Sequence, residues 1–149
     1  MRRFALVLAA VAGLAAPVAL AQSAADTDAA IHAVLGDHQK FHDAFDAIQA
    51  AVADGDAAAV AQYIPYGTPV YVHGNEEVFD SEAQFVDAYD GIFTPEIIDT
   101  IAAQTWETLF VNADGVMFGA GEVWLNGICV DETCTDFDVR IVTVQTIPD

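Results

Sequence analysis

The sequence predicts an α+β domain, with helices leading and an antiparallel sheet closing the chain. Three observations predict it. Apolar side chains step through Ile31, Val34, His38, Phe41, Phe45, Ile48 and Val52 in alternating threes and fours, the period of an amphipathic helix. Trp106 to Cys129 reads as two long strands joined at Asn112-Ala113-Asp114-Gly115, where Asp-Gly supplies turn chemistry. Asp138 to Ile147 then alternates as a last strand.

The first residues read as a leader and not as fold. Arg2 and Arg3 are followed by an Ala-rich apolar run from Phe4 to Leu20, and Ala19-Leu20-Ala21 fits the small-x-small cleavage rule. This predicts a signal peptide over 1–21, a mature chain starting at Gln22, and a periplasmic or secreted product. No Cys lies near the cleavage point, which argues against a lipid anchor, and no membrane segment is expected after cleavage. A small polar stretch over 22–30 reads as a flexible lead-in, and 31–149 as a single domain.

Charge narrows the partners. The chain has 4 Lys+Arg against 23 Asp+Glu. Removing 1–21 takes Arg2 and Arg3 and no acid, so Lys40 and Arg140 remain and the net charge becomes −21. Nucleic acid and anionic membrane both demand cations on the protein, so both are excluded as partners. A basic partner, divalent cations or a salt-rich habitat suit such a surface. The 2 cysteines, Cys129 and Cys134, are expected to pair in an oxidising compartment and staple a short loop.

The elements follow in order. Gly36 is a point at which the first helix can divide, and Asp54-Gly55-Asp56 ends it, Asp56 capping a short helix from Ala57 to Tyr63. Val70 to His73 and Glu77 to Phe79 form a hairpin around Gly74-Asn75. Asp80 or Ser81 caps a helix reaching about Ile92. Thr94-Pro95 opens another that ends near Ala103. After the Asn112–Gly115 turn the return strand is expected to run unbroken from Val116 to Asn126. One face would carry Val116, Phe118, Ala120, Glu122 and Trp124. The other would carry Met117, Gly119, Gly121, Val123 and Leu125. Gly119 and Gly121 would then let a long strand bend sharply or a helix approach closely.

This order, with its long bent closing strands, resembles the NTF2-like superfamily over roughly 41–147. That is the cone-shaped α+β fold shared with ketosteroid isomerase and the SnoaL-like cyclases. More narrowly, Tyr89-Asp90-Gly91-Ile92-Phe93-Thr94 together with Gly115-Val116-Met117-Phe118-Gly119-Ala120-Gly121-Glu122-Val123-Trp124 is similar to a group of uncharacterised secreted bacterial proteins of that type. The resemblance implies a fold and a compartment and brings no activity.

A cone of that kind has an open mouth that can hold a small apolar ligand. Tyr66, Tyr71, Tyr89, Trp106 and Trp124 are the residues expected to line it, with His73 or Glu122 as the ionisable member. A carboxylate held in an apolar cleft can act as a general base, which makes Glu122 the first catalytic candidate and His73 the second. The sequence offers no Tyr and protonated-acid pair for an oxyanion hole. His38 and His42 are spaced i, i+4 with Asp46 a turn on. His38 lies in the apolar stripe, however, and no third ligand is visible, so no metal is expected there. Asp131, Glu132, Asp136 and Asp138 crowd the cysteine loop without an EF-hand pattern. No cofactor signature occurs.

Three functions fit these features. The first is non-enzymatic binding of a small apolar ligand or a protein partner, with a homodimer through the sheet as the simplest cover for an apolar outer face. The second is an isomerase, cyclase or hydratase-like enzyme using Glu122 or His73. The third is an acidic inhibitor of a cationic secreted enzyme.

Overall fold

A computed structural model describes residues 22–148. The leader expected over 1–21 lies outside the described residues. The fold is α+β: five helices and a six-stranded mixed sheet that does not close on itself.

The chain opens with a helix where a loose lead-in was expected. Helix α1, Ala24–Val34, begins at a full capping box, in which Ser23 and Asp26 each satisfy the other's backbone N–H. It is held from within by Thr27, whose buried hydroxyl donates to the Trp106 carbonyl at 3.1 Å. Gly36, at φ +105°, ends the first segment, a backbone conformation that side chains resist. Asp37 caps α2, His38–Ala53, through the Gln39 N–H. The single apolar stripe is therefore carried by two helices. Phe41, Phe45, Ile48 and Val52 are buried, whereas Val34, at the end of α1 ahead of the turn, is 50% exposed.

Asp56 caps α3, Ala57–Ala61, as expected. Strands β1, Pro69–Val72, and β2, Asn75–Val78, form the small hairpin. Its turn residues are His73 and Gly74, at φ +47° and +83°, one position earlier than expected. Ser81 caps α4, Glu82–Ile92, and Pro95 opens α5, Pro95–Ala103. Gln49 of α2 donates to the carbonyls of Ile101 and Gln104 at 2.7 Å each, which satisfies the end of α5 from a neighbouring helix.

The closing strands depart from the expectation at two places. Trp106–Thr108 is a 3₁₀ turn, and only Phe110–Asn112 pairs as β3. The hydroxyl of Thr108 folds back onto the Thr105 carbonyl at 3.1 Å, and such local bonds compete with strand pairing. The expected long return strand is broken into β4, Gly115–Phe118, and β5, Val123–Cys129. Between them Gly119-Ala120-Gly121-Glu122 makes a tight turn, with Gly119 at φ +61° and Gly121 at φ +123°. The two glycines reverse the chain; they do not bend one strand. The pairing is then Phe118 with Val123, Met117 with Trp124, and Val116 with Leu125. This reversal moves Trp124 off the face of Val116 and Phe118 and onto that of Met117.

Strand β6, Phe137–Val144, pairs antiparallel with β5 and parallel with β1, giving the order β2-β1-β6-β5-β4-β3. Leu125 pairs with Ile141 but Trp124 with Thr143, so Val142 is an extra residue in β6. That bulge passes the inward position from Val139 and Ile141 to Val144, where simple alternation placed Thr143. The inner face is filled by Val116, Phe118, Val123, Leu125, Ile141 and Val144, which join one core with the apolar sides of the helices.

Candidate functional site

The turn, the bulge and the sheet order place one line of side chains across the outer face. Register pairs Phe110 with Met117, Met117 with Trp124, Trp124 with Thr143, and Thr143 with Tyr71. These five residues therefore run side by side over five strands, opposite the filled core. Phe110 and Tyr71 are 51% and 50% exposed, and Met117 and Trp124 are half-buried. The Phe110 and Trp124 rings meet edge to face with centroids 6.4 Å apart. Beyond β6 the chain stays bound to the turn that precedes β5. Gln145 donates from its backbone to the Glu122 carbonyl at 2.8 Å and from its side chain to the Gly121 carbonyl at 3.0 Å. A groove of about 280 Å³ opens here between Tyr71, Asp114, Trp124, Val142, Thr143 and Gln145. The Tyr71 hydroxyl donates to Glu76 at 3.0 Å, and that bond together with the carboxylate charge raises its pKa.

Of the five aromatics expected around one mouth, only Tyr71 and Trp124 come together. Trp106 is buried in the core at 5% exposure. Its indole N–H donates to Asp28 at 2.9 Å, its face stacks on His42 at 4.3 Å, and its ring meets Phe45 edge-on at 5.4 Å. It anchors α1 and α2 to the start of the sheet. Tyr89 is also core, stacked on Phe93 at 4.9 Å, and burial with the nearby Asp90 and Asp56 raises its pKa. Its hydroxyl is buried without a hydrogen-bond partner in the structure. Tyr66 lies elsewhere, at a cleft of about 400 Å³ whose walls include Gln62, Ile64, Glu82, Ile128 and Arg140. Its hydroxyl donates to the Ala61 carbonyl at 2.8 Å.

Neither catalytic candidate faces an apolar hollow. Glu122 is 9% exposed, and one carboxylate oxygen accepts the Ala120 N–H at 2.6 Å inside the Gly119–Glu122 turn. That oxygen would lie 2.3 Å from a Cβ at Gly119, which shows how closely the carboxylate lies on the turn. Gln104 accepts from the Gly119 N–H at 2.8 Å and ties the same turn to the end of α5. His73 sits in the exposed β1–β2 turn with Nε2 3.2 Å from the Gly91 carbonyl. The two are not paired with each other or with a second acid or base.

His38 does not enter the core. It is half-buried, with its ring 6.2 Å from that of His32. Among the described residues no group of three or more His, Cys, Asp or Glu is arranged to hold a metal. Cys129 and Cys134 form a disulfide with Cα atoms 4.8 Å apart. Within its loop Asp131 accepts from the backbone and hydroxyls of Thr133 and Thr135, and these donors hold its carboxyl well below the usual range. Asp131, Asp136 and Asp138 are thus used in local bonds and ion pairs. Asp136 pairs with Lys40, and Asp138 with Arg140 at 2.6 Å. Arg140 also donates to the Gln62 carbonyl, and Lys40 to the Phe137 carbonyl at 2.8 Å. Both cations left in the described residues are therefore engaged at the cysteine end of the sheet.

Sequence reasoning missed Phe110 and Met117 as surface groups. Their signal was present as large apolar residues flanking the Asn112–Gly115 turn, but their facing depended on register. No helix among the described residues is long and apolar enough to cross a membrane. No family model matches this chain, and no curated protein and no solved structure matches it either.

Proposed function

We propose that this chain is an exported, non-enzymatic binding domain of the NTF2-like type that works through the outer face of its sheet. The single observation that carries the reading is the line Phe110, Met117, Trp124, Thr143 and Tyr71. It spans five strands and is apolar at four of its five positions. Aromatic and Met side chains of this kind are enriched at recognition surfaces. The NTF2-like reading is supported by the element order, helices with an intervening hairpin and then closing antiparallel strands, and by the bulge at Val142 in the last strand. Export is supported by the disulfide and by the leader-like composition of the first residues.

The face takes either a small apolar ligand or a protein surface, and a second copy of the chain is its simplest protein cover. The local bonding of Glu122 and the exposed position of His73 lend no support to acid–base catalysis. Titration with the neutral polarity-sensitive dye Nile red tests the reading. The wild type is expected to bind it, and Phe110→Ser/Trp124→Ser, which removes the row but leaves the core intact, is expected to lose binding. Equal dye binding by both proteins, or none by either, refutes the reading. Light scattering that finds a salt-insensitive monomer removes the dimer and leaves the small ligand.

A further inference from the structure

We infer that the groove on the outer face takes an organic cation, a quaternary or primary ammonium held over Trp124 and Tyr71 beside Asp114. The inference rests on the binding-face reading above and narrows its small-ligand arm to one whose apolar groups surround a positive charge. Three observations carry it. First, the groove places two electron-rich rings at one site. Tyr71 and Trp124 both line it, brought there as neighbours of Thr143 from opposite sides. The face of an aromatic ring attracts a cation, Trp most strongly, and several rings together form the usual receptacle for a quaternary ammonium.

Second, the charge around the groove has one sign. Asp114 is the only charged residue lining it, and Glu76 adjoins it through its bond to the Tyr71 hydroxyl. No Lys or Arg lines it. Both cations of the described residues are engaged elsewhere, Lys40 with Asp136 and Arg140 with Asp138. The chain outside residues 1–21 carries a net charge of −21, so its field concentrates small cations and repels anions. Third, the polar groups facing the groove suit the tail of such a ligand. Thr143 can donate or accept, and Gln145 lies beside it. A groove of about 280 Å³ matches a compact ligand better than a protein segment.

A titration followed by amide and indole NMR signals tests this, with choline as the probe and 3,3-dimethylbutan-1-ol as its uncharged isostere. Choline is expected to shift the Trp124 indole N–H saturably and to leave that of Trp106 unmoved. The isostere is expected to bind about tenfold more weakly. Trp124→Ala is expected to abolish choline binding, and Asp114→Asn to weaken it and flatten its dependence on salt, with the far-UV spectrum of both unchanged. Equal affinity for choline and the isostere overturns the cation assignment and leaves the binding face standing. Choline binding that survives Trp124→Ala also overturns it. If neither probe moves the outer-face signals, the assignment fails, and the dye titration then decides separately whether the face binds at all.

Discussion

Trp106 and Trp124 look alike in sequence and should behave as opposites on truncation. Trp106 is 5% exposed and touches α1, α2 and the core through Asp28, His42 and Phe45. Trp106→Ala removes an entire buried indole, and such a change costs about 3–5 kcal/mol because the surroundings close only partly. It also leaves Asp28 without its donor and loosens the site where the Thr27 hydroxyl docks. Trp124 lies half-buried on the outer face with Phe110 as its main aromatic neighbour, so Trp124→Ala should cost no more than about 1 kcal/mol. Urea unfolding followed by far-UV circular dichroism measures both. With a slope of about 1–3 kcal/mol/M for a domain of this size, the midpoint of Trp106→Ala should fall by at least about 1 M. If Trp106→Ala does not fold, Trp106→Phe serves in its place. That change keeps most of the packing and loses the bond to Asp28, a cost of about 1–2 kcal/mol. Trp106→Ala within about 0.5 kcal/mol of wild type, or Trp124→Ala the more damaging of the two, would refute the division of core from face.

Two further outcomes follow from the geometry. Gly115 has φ +135°, and a Cβ there would lie 2.1 Å from the Leu125 carbonyl oxygen in the paired strand. Gly115→Ala must therefore part β4 from β5, and a loss of about 3 kcal/mol or more is expected in thermal or urea unfolding, where an unchanged midpoint would contradict the pairing. Asp26, Asp131 and Asp136 have carboxyl pKa values lowered from 3.8 by Ser23, by Thr133 and Thr135, and by Lys40 respectively. Groups whose pKa is depressed on folding stabilise the protein above their unfolded value and lose that contribution as pH falls through the folded one. Stability should therefore decline below about pH 4, and NMR titration should show the Asp131 carboxylate still ionised when ordinary surface acids have protonated. An Asp131 midpoint at or above that of the surface acids would show that the Thr133 and Thr135 bonds are absent in solution.

Much of the architecture was written locally. Asp56, Ser81 and Pro95 mark helix starts because each acts on its own first turn. Helix α2, the Asn112–Gly115 turn and the closing strand follow from period and turn chemistry, whereas the first two turns of α1 read as a loose lead-in. The pairing of Cys129 with Cys134 follows from their number, closeness in sequence and the expected compartment. The α+β class follows from the order of these signals.

The working face did not follow, because side-chain facing depends on where a strand turns and which residue bulges. Gly119 and Gly121 fit a bent strand as well as a reversal when read alone, since apolar alternation runs straight across them. Only pairing with β5 selects the reversal, and that choice moves Trp124 from the side of Phe118 to the side of Met117. The bulge at Val142 acts in the same way one strand further on. A period of two is blind to such one-residue shifts, and each of them exchanges inside for outside. Composition by itself determined that this chain carries aromatics and excess negative charge; the sheet register decided that Tyr71 and Trp124 flank Thr143 on the outer face, and the packing of the helices decided that Trp106 and Tyr89 join the core.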